Sequence, residues 1–130
     1  MHAGPVDELL SEAMAPVLRD LRSADVAPPR IEDRDWAGDP DSASVLMWGA
    51  DGSGVGVYAS RSASAPDRVA MVAEQVQDWA IEQLWGRATT NWPACPRHPE
   101  THPLRVSVRD GVAVWTCPAG GVAITPVGSV

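Results

Sequence analysis

The chain has no lysine, no phenylalanine, one tyrosine and only two cysteines. No apolar run approaches the ~18 residues a membrane-spanning helix requires, so a membrane partner is not expected. The opening stretch MHAGPVDELLSEAM has neither a basic n-region nor an apolar core. A secretory signal is therefore not expected, and a cytoplasmic location is. Two cysteines are too few for a disulfide scaffold. In a reducing compartment they read as free thiols or metal ligands. Without lysine, every strong positive charge is an arginine.

What is present is an ordinary globular composition: 130 residues, 45% hydrophobic, with six tryptophans. That length fits one domain, or one with a small appendage, and can bury a core without a covalent staple. The net charge is −7, and it is uneven. Residues 1–90 carry a balance of −8 and residues 91–130 one of +1. An acidic first part repels phosphate backbones, so nucleic acid is not an expected partner. A basic protein partner would be favoured by charge complementarity. The plainer reading is that the acids keep the protein in solution.

Apolar residues at three- and four-residue steps (Val6, Leu9, Leu10, Ala13, Met14, Val17, Leu18, Leu21) predict a helix from Pro5 to about Arg22. SADVAPPR ends it, because two prolines cannot continue a helix. Ile31 to Trp36 alternates weakly, as a short strand would. SVLMWGADGSGVGVYAS reads as a hairpin, Val45 to Gly49 and Val55 to Ala59, turning at Asp51 to Gly54. A second helix is predicted from about Pro66 to Trp85, with Ser64 as N-cap and Gly86 as stop. Arg105 to Arg109 and Val112 to Thr116 flank Asp110-Gly111, the strongest hairpin signal in the chain. Val122 to Val127 is available as a further strand. The expected fold is α+β: residues 1–90 with two helices packed on a small antiparallel sheet in the order α-β-β-β-α, then a β-hairpin tail, 91–130, packed on that first part.

The tail holds both cysteines and two of the three histidines. Cys95, His98, His102 and Cys117 give C-x2-H-x3-H-x14-C. Zinc takes four sulfur or nitrogen ligands at tetrahedral corners. A Cys-Pro-x-His turn can aim a thiolate and an imidazole at one ion, and the Asp110-Gly111 hairpin would return Cys117 beside it. The competing reading makes Cys95 and Cys117 small buried hydrophobes and His98 and His102 surface residues of a proline-rich loop.

On CPRH and CPAG the tail resembles a zinc ribbon, in which two Cys-Pro-x-Cys knuckles flank a β-hairpin. The resemblance covers about thirty-five residues. It implies a structural zinc ion held by Cys95, His98 and Cys117. Gly120 stands where the ribbon's fourth ligand belongs, and His102 could supply that ligand instead. Were it not to, a three-ligand site would stay open for chemistry, and Glu100 would be the proton carrier of a small zinc enzyme. HPE (His98, Glu100) is similar to the H-x-E of zinc deaminases, but the second cysteine of their P-C-x-x-C is missing, and Pro96, Pro99 and Pro103 exclude the helix that motif needs.

Other signals are weaker. Asp33, Asp35, Gly38, Asp39 and Asp41 partly match an EF-hand loop, but Ser44 stands where a bidentate glutamate is required. GADGSGVG lies between two strands and is read as a turn rather than a phosphate cradle. Six tryptophans cannot easily all be buried in so small a domain; Trp36 and Trp48 are the best surface candidates. With Asp33 and Asp35 they form the expected partner-binding set. The leading expectation is a non-enzymatic protein-interaction module with a structural zinc site. The alternatives are the zinc enzyme above and an acidic inhibitor or immunity-type protein covering a basic partner.

Overall fold

The computed structural model describes residues 7–85 and 91–130. Its elements run α1 (Glu8–Leu21), β1 (Arg30–Asp33), β2 (Ser42–Trp48), β3 (Gly54–Ser60), α2 (Ala65–Leu84), β4 (Arg105–Arg109), β5 (Val112–Thr116) and β6 (Ala123–Pro126). The expected start of the first helix at Pro5 and Val6, and the expected stop at Gly86, lie outside the described residues.

Helix α1 is capped by Asp7, whose carboxylate accepts the Leu9 N–H at 3.0 Å, satisfying one of the orphan donors of the first turn. Its apolar stripe buries Leu10, Ala13, Met14, Val17 and Leu21. Pro16 sits inside the helix and removes one rung of its ladder. Helix α2 is capped by Ser64, which accepts the Asp67 N–H at 3.2 Å. It ends at Leu84, and Trp85 beyond it is exposed.

The described residues fold into two helices and two three-stranded antiparallel sheets, an α+β architecture, with strand orders β1-β2-β3 and β4-β5-β6. The tail is thus more than a hairpin: β6 pairs with β5, with a register shift beside Trp115 and Thr116. The first strand is shorter than the weak alternation suggested, ending at Asp33, so Trp36 lies in the link that follows. Both turn residues between β4 and β5 have positive φ, 51° at Asp110 and 75° at Gly111, as a two-residue type I′ hairpin requires.

Helix α2 touches β3 on one side and β4 and β5 on the other, and it also packs on α1. In β2 and β3 every second residue turns toward the helices. Ala43, Val45 and Met47 of β2 and Val57 and Ala59 of β3 are buried toward the helices. One hydrophobic cluster joins these residues to Trp79, Trp92, Cys95, Leu104, Trp115 and Cys117. Residues 7–85 and the tail therefore share a core. At about 1.5–3 kcal/mol for each large side chain fully buried, that shared core is the main force holding the tail in place.

Candidate metal centre

Residues 92–104 form a loop whose two arms meet at its base. Ala94 and Pro103 make an isolated β-bridge, and the Leu104 N–H donates to the Pro93 carbonyl at 2.8 Å. The buried Gln77 of α2 locks that base from below. Its Nε2 donates to the carbonyls of Trp92 (3.1 Å) and Leu104 (2.6 Å), one on each arm. Trp92 stacks edge-on to Trp115 at 6.0 Å, and its indole N–H donates to Ser23 Oγ at 3.0 Å. The loop is thereby tied to the link after α1, to α2 and to β5 at once.

Within the loop, tight turns aim the side chains. The His98 N–H returns to the Cys95 carbonyl at 3.0 Å, and the Thr101 N–H to the His98 carbonyl at 3.1 Å. Cys117 arrives at the end of β5, where the Gly121 N–H closes a turn on its carbonyl at 2.7 Å. Gly121 has φ +69°, the left-handed conformation that suits glycine. This turn is the CPAG stretch, and of its residues Cys117 joins the converging group described next.

The four predicted residues converge. One ligand atom from each of Cys95, His98, His102 and Cys117 lies within 4.8 Å of the others, the one such His, Cys, Asp or Glu group found among the described residues. His98 Nδ1 stands 3.9 Å from Cys95 Sγ and 3.7 Å from Cys117 Sγ. These separations are long for direct N–H···S contacts. They match the ~3.6 Å sulfur–nitrogen edge of a tetrahedron with Zn–S about 2.3 Å and Zn–N about 2.0–2.1 Å.

His102 makes the most specific contribution. Its Nδ1 lies 3.1 Å from the Pro103 carbonyl, which can only accept. The proton is thereby assigned to Nδ1, and Nε2 keeps its lone pair. That Nε2 is buried and has no hydrogen-bond partner. A ring nitrogen fixed by a carbonyl on one side and bare on the other is the arrangement metal-binding histidines adopt.

Both cysteines are buried, Cys95 at 0% and Cys117 at 1% exposure, and neither forms a disulfide. The backbone N–H of Gly120 is the largest influence holding the Cys117 thiol below its ordinary pKa. Burial opposes it, while the Ala119 N–H, the Cys95 thiol and the Arg97 charge act with Gly120. Donors that stabilise the thiolate favour the form that binds a cation. Two sulfurs and two imidazoles fit zinc. Glu100 is exposed and outside the converging group.

The expected partner residues lie elsewhere. Asp33 and Asp35 line a shallow cavity of about 230 Å³ with Asp7, Ser42, Ser44 and Arg61. Arg61 pairs there with Asp7. Asp35 is engaged locally, accepting from the Gly38 N–H and Ser44 Oγ. Trp36 and Trp48 lie at the first sheet, Trp36 being 43% exposed. The GADGSGVG stretch is a hairpin turn, with Asp51 accepting the Ser53 N–H at 3.0 Å.

Two residues escaped the sequence reading. Gln77 and Asp20 are both buried polar groups on apolar helix stripes. Asp20 is 0% exposed and accepts from Trp115 Nε1 (2.9 Å) and the N–H groups of Gly128 (2.6 Å) and Val130 (3.0 Å). A polar residue interrupting an apolar stripe was the available signal. Among the described residues, no helix is long and apolar enough to cross a membrane. Comparison of the chain with protein-family models, with curated proteins and with solved structures finds no match.

Proposed function

We propose that this chain is a non-enzymatic protein-interaction module of a reducing compartment, stapled by one structural zinc ion on Cys95, His98, His102 and Cys117. The observation that carries the zinc part of the reading is the buried, unpartnered Nε2 of His102, in a residue whose ligand atom joins those of two thiols and a second imidazole. A fourth ligand distinguishes a structural site from a catalytic one, because it leaves no coordination place for water or substrate. Glu100, exposed and apart, adds nothing to a catalytic reading. When bound, zinc would supply a crosslink between the 92–104 loop and the end of β5, and binding energy that counts as folding energy. The residues of this chain do the rest. Pro103 orients His102, Gln77 holds the loop base, and Gly120 stabilises the Cys117 thiolate.

Metal content by mass spectrometry tests this, on protein purified without chelator beside a Cys95→Ser/Cys117→Ser double variant. About one zinc per chain in the parent and none in the variant is expected from four converging ligands. A His102→Ala variant should keep a cobalt-substituted centre but shift its visible spectrum, since a water would replace one nitrogen. A metal-free parent, or an unchanged cobalt spectrum in that variant, overturns the closed zinc site.

A further inference from the structure

The outward side of the first sheet has an unusual construction. The helices pack on its inward side, and among the described residues no other element lies against the outward one. Leu46 and Trp48 of β2 and Gly54, Gly56 and Tyr58 of β3 alternate onto that outward side. Trp36 crosses from the link after β1 to lie against Gly56. A Cβ at Gly56 would fall 2.5 Å from the Trp36 ring, and one at Gly54 would fall 2.6 Å from the Trp48 ring. Both indoles therefore rest directly on backbone that only glycine leaves open.

Both rings are also anchored through their N–H groups. Trp36 donates to the Val45 carbonyl at 2.8 Å, and Trp48 to Glu32 Oε1 at 2.9 Å. Yet Trp36 and Tyr58 remain 43% and 39% exposed. Their rings meet at 86° with centroids 6.0 Å apart, forming a fixed aromatic corner. Rigid exposed aromatics lose little entropy on binding and serve as interface anchors.

Charge identifies the occupant. Residues 30–60 contain six carboxylates and two arginines. Both arginines are engaged: Arg34 pairs with Glu32, and the Arg30 guanidinium carbon lies 5.5 Å from the Trp48 ring centroid. The chain thus already seats one guanidinium on one of these indoles. Among the described residues, none lies over Trp36 or Tyr58. A second copy of the chain would bring the same net charge of −7 and be repelled rather than drawn in.

We propose that this face docks an arginine-bearing basic segment of a partner protein, with a guanidinium at the Trp36–Tyr58 corner and the net negative charge of residues 30–60 steering the approach. The proposal rests on reading the chain as an interaction module. The test titrates isotope-labelled protein of measured zinc content with a hexa-arginine peptide, following the indole N–H resonances in low and high salt. Trp36 should shift saturably and Trp48 less. Added salt should weaken binding, and hexa-lysine should bind several-fold more weakly because an ammonium does not stack. Trp36→Ala and Tyr58→Ala should each weaken binding about tenfold, in line with interface anchors. Glu12→Gln, on the exposed side of α1, should change it little. Well-dispersed spectra of both aromatic variants keep a folding defect from passing as a binding defect.

Equal weakening by Glu12→Gln and Trp36→Ala would mean diffuse electrostatics and overturn the proposal. So would the absence of any saturable Trp36 shift, or self-association of the parent that Trp36→Ala abolishes. A hexa-proline peptide that shifts Trp36 where hexa-arginine does not would overturn the basic occupant and leave the module reading standing. Zinc-loaded protein that ignores hexa-arginine sinks the docking surface alone, and metal-free protein that binds it sinks the zinc staple alone.

Discussion

Replacing Asp20 by alanine should be among the most damaging single changes available in this protein. Its two carboxylate oxygens collect three N–H donors from the far end of the chain: Trp115 Nε1, Gly128 N and Val130 N. Trp115 is fully buried, so its indole N–H has no water to turn to. An unsatisfied buried donor costs about 1–3 kcal/mol, and hydrogen bonds to a charged acceptor contribute about 1.5–3 each. Gly128 is half-buried and Val130 exposed, so their amides can recover part of the loss from solvent. The net cost is about 3–5 kcal/mol, the range of a broken buried network, against a total stability of about 5–15. For a chain of this length each kcal/mol moves the melting temperature by roughly 3–5 °C, so a fall of about 10–20 °C is expected. Asp20→Asn should fall about half as far, since one amide oxygen can still accept but its NH2 faces a donor. Thermal and urea unfolding at fixed zinc measure the loss. Hydrogen exchange at the Trp115 indole and the Gly128 and Val130 amides shows where it occurs. A fall below about 3 °C, with those three protons still protected, would refute the claim that Asp20 clamps the end segment to α1.

Gln77→Leu keeps the volume but leaves the Trp92 and Leu104 carbonyls unpaired; it should cost about 2–3 kcal/mol and weaken zinc binding in competition with a chromophoric chelator. Valine at Gly56 would raise β-propensity, yet its Cβ must displace the Trp36 ring. The variant should therefore be less stable, with red-shifted tryptophan emission, and a gain in melting temperature would show that Trp36 does not rest there. Asp41 is held below its ordinary pKa first by the Ser60 hydroxyl and then by Ser62, with Arg61 adding to both against desolvation. A depressed carboxyl stabilises the fold above its unfolded pKa of 3.8, and that contribution disappears as pH falls through the lower folded value. Asp41→Asn should accordingly flatten the acid limb of a stability–pH curve below about pH 4 and leave its slope near neutrality unchanged.

Much of the local order was legible because it depends on neighbours in sequence. The three-to-four-residue apolar steps placed the first helix, Ser64 marked the start of α2, and Asp110-Gly111 located the β4–β5 turn with its strands at the observed bounds. Ligand chemistry was legible for the same reason: a Cys-Pro-x-His turn and a hairpin of set length are local devices, and they bring Cys95, His98, His102 and Cys117 together. The third strand of the tail was less distinct, since four residues with an exposed, uneven burial pattern carry little periodicity.

Only the tertiary structure decided which polar groups are buried and what they hold. Asp20 reads in sequence as one more acid near a helix end, yet its partners lie 95 to 110 residues away. Gln77 is ordinary on a helix until two loop carbonyls arrive above it. His102 offers a bare ring nitrogen because Pro103 claims one of its nitrogens and burial bares the other. Trp36 could be marked as a surface aromatic, but its seat on Gly56 and its corner with Tyr58 depend on three segments meeting. Spacing along the chain sets periodicity and turns, whereas burial, satisfaction of donors and the pose of a side chain belong to contacts between segments that no local pattern encodes.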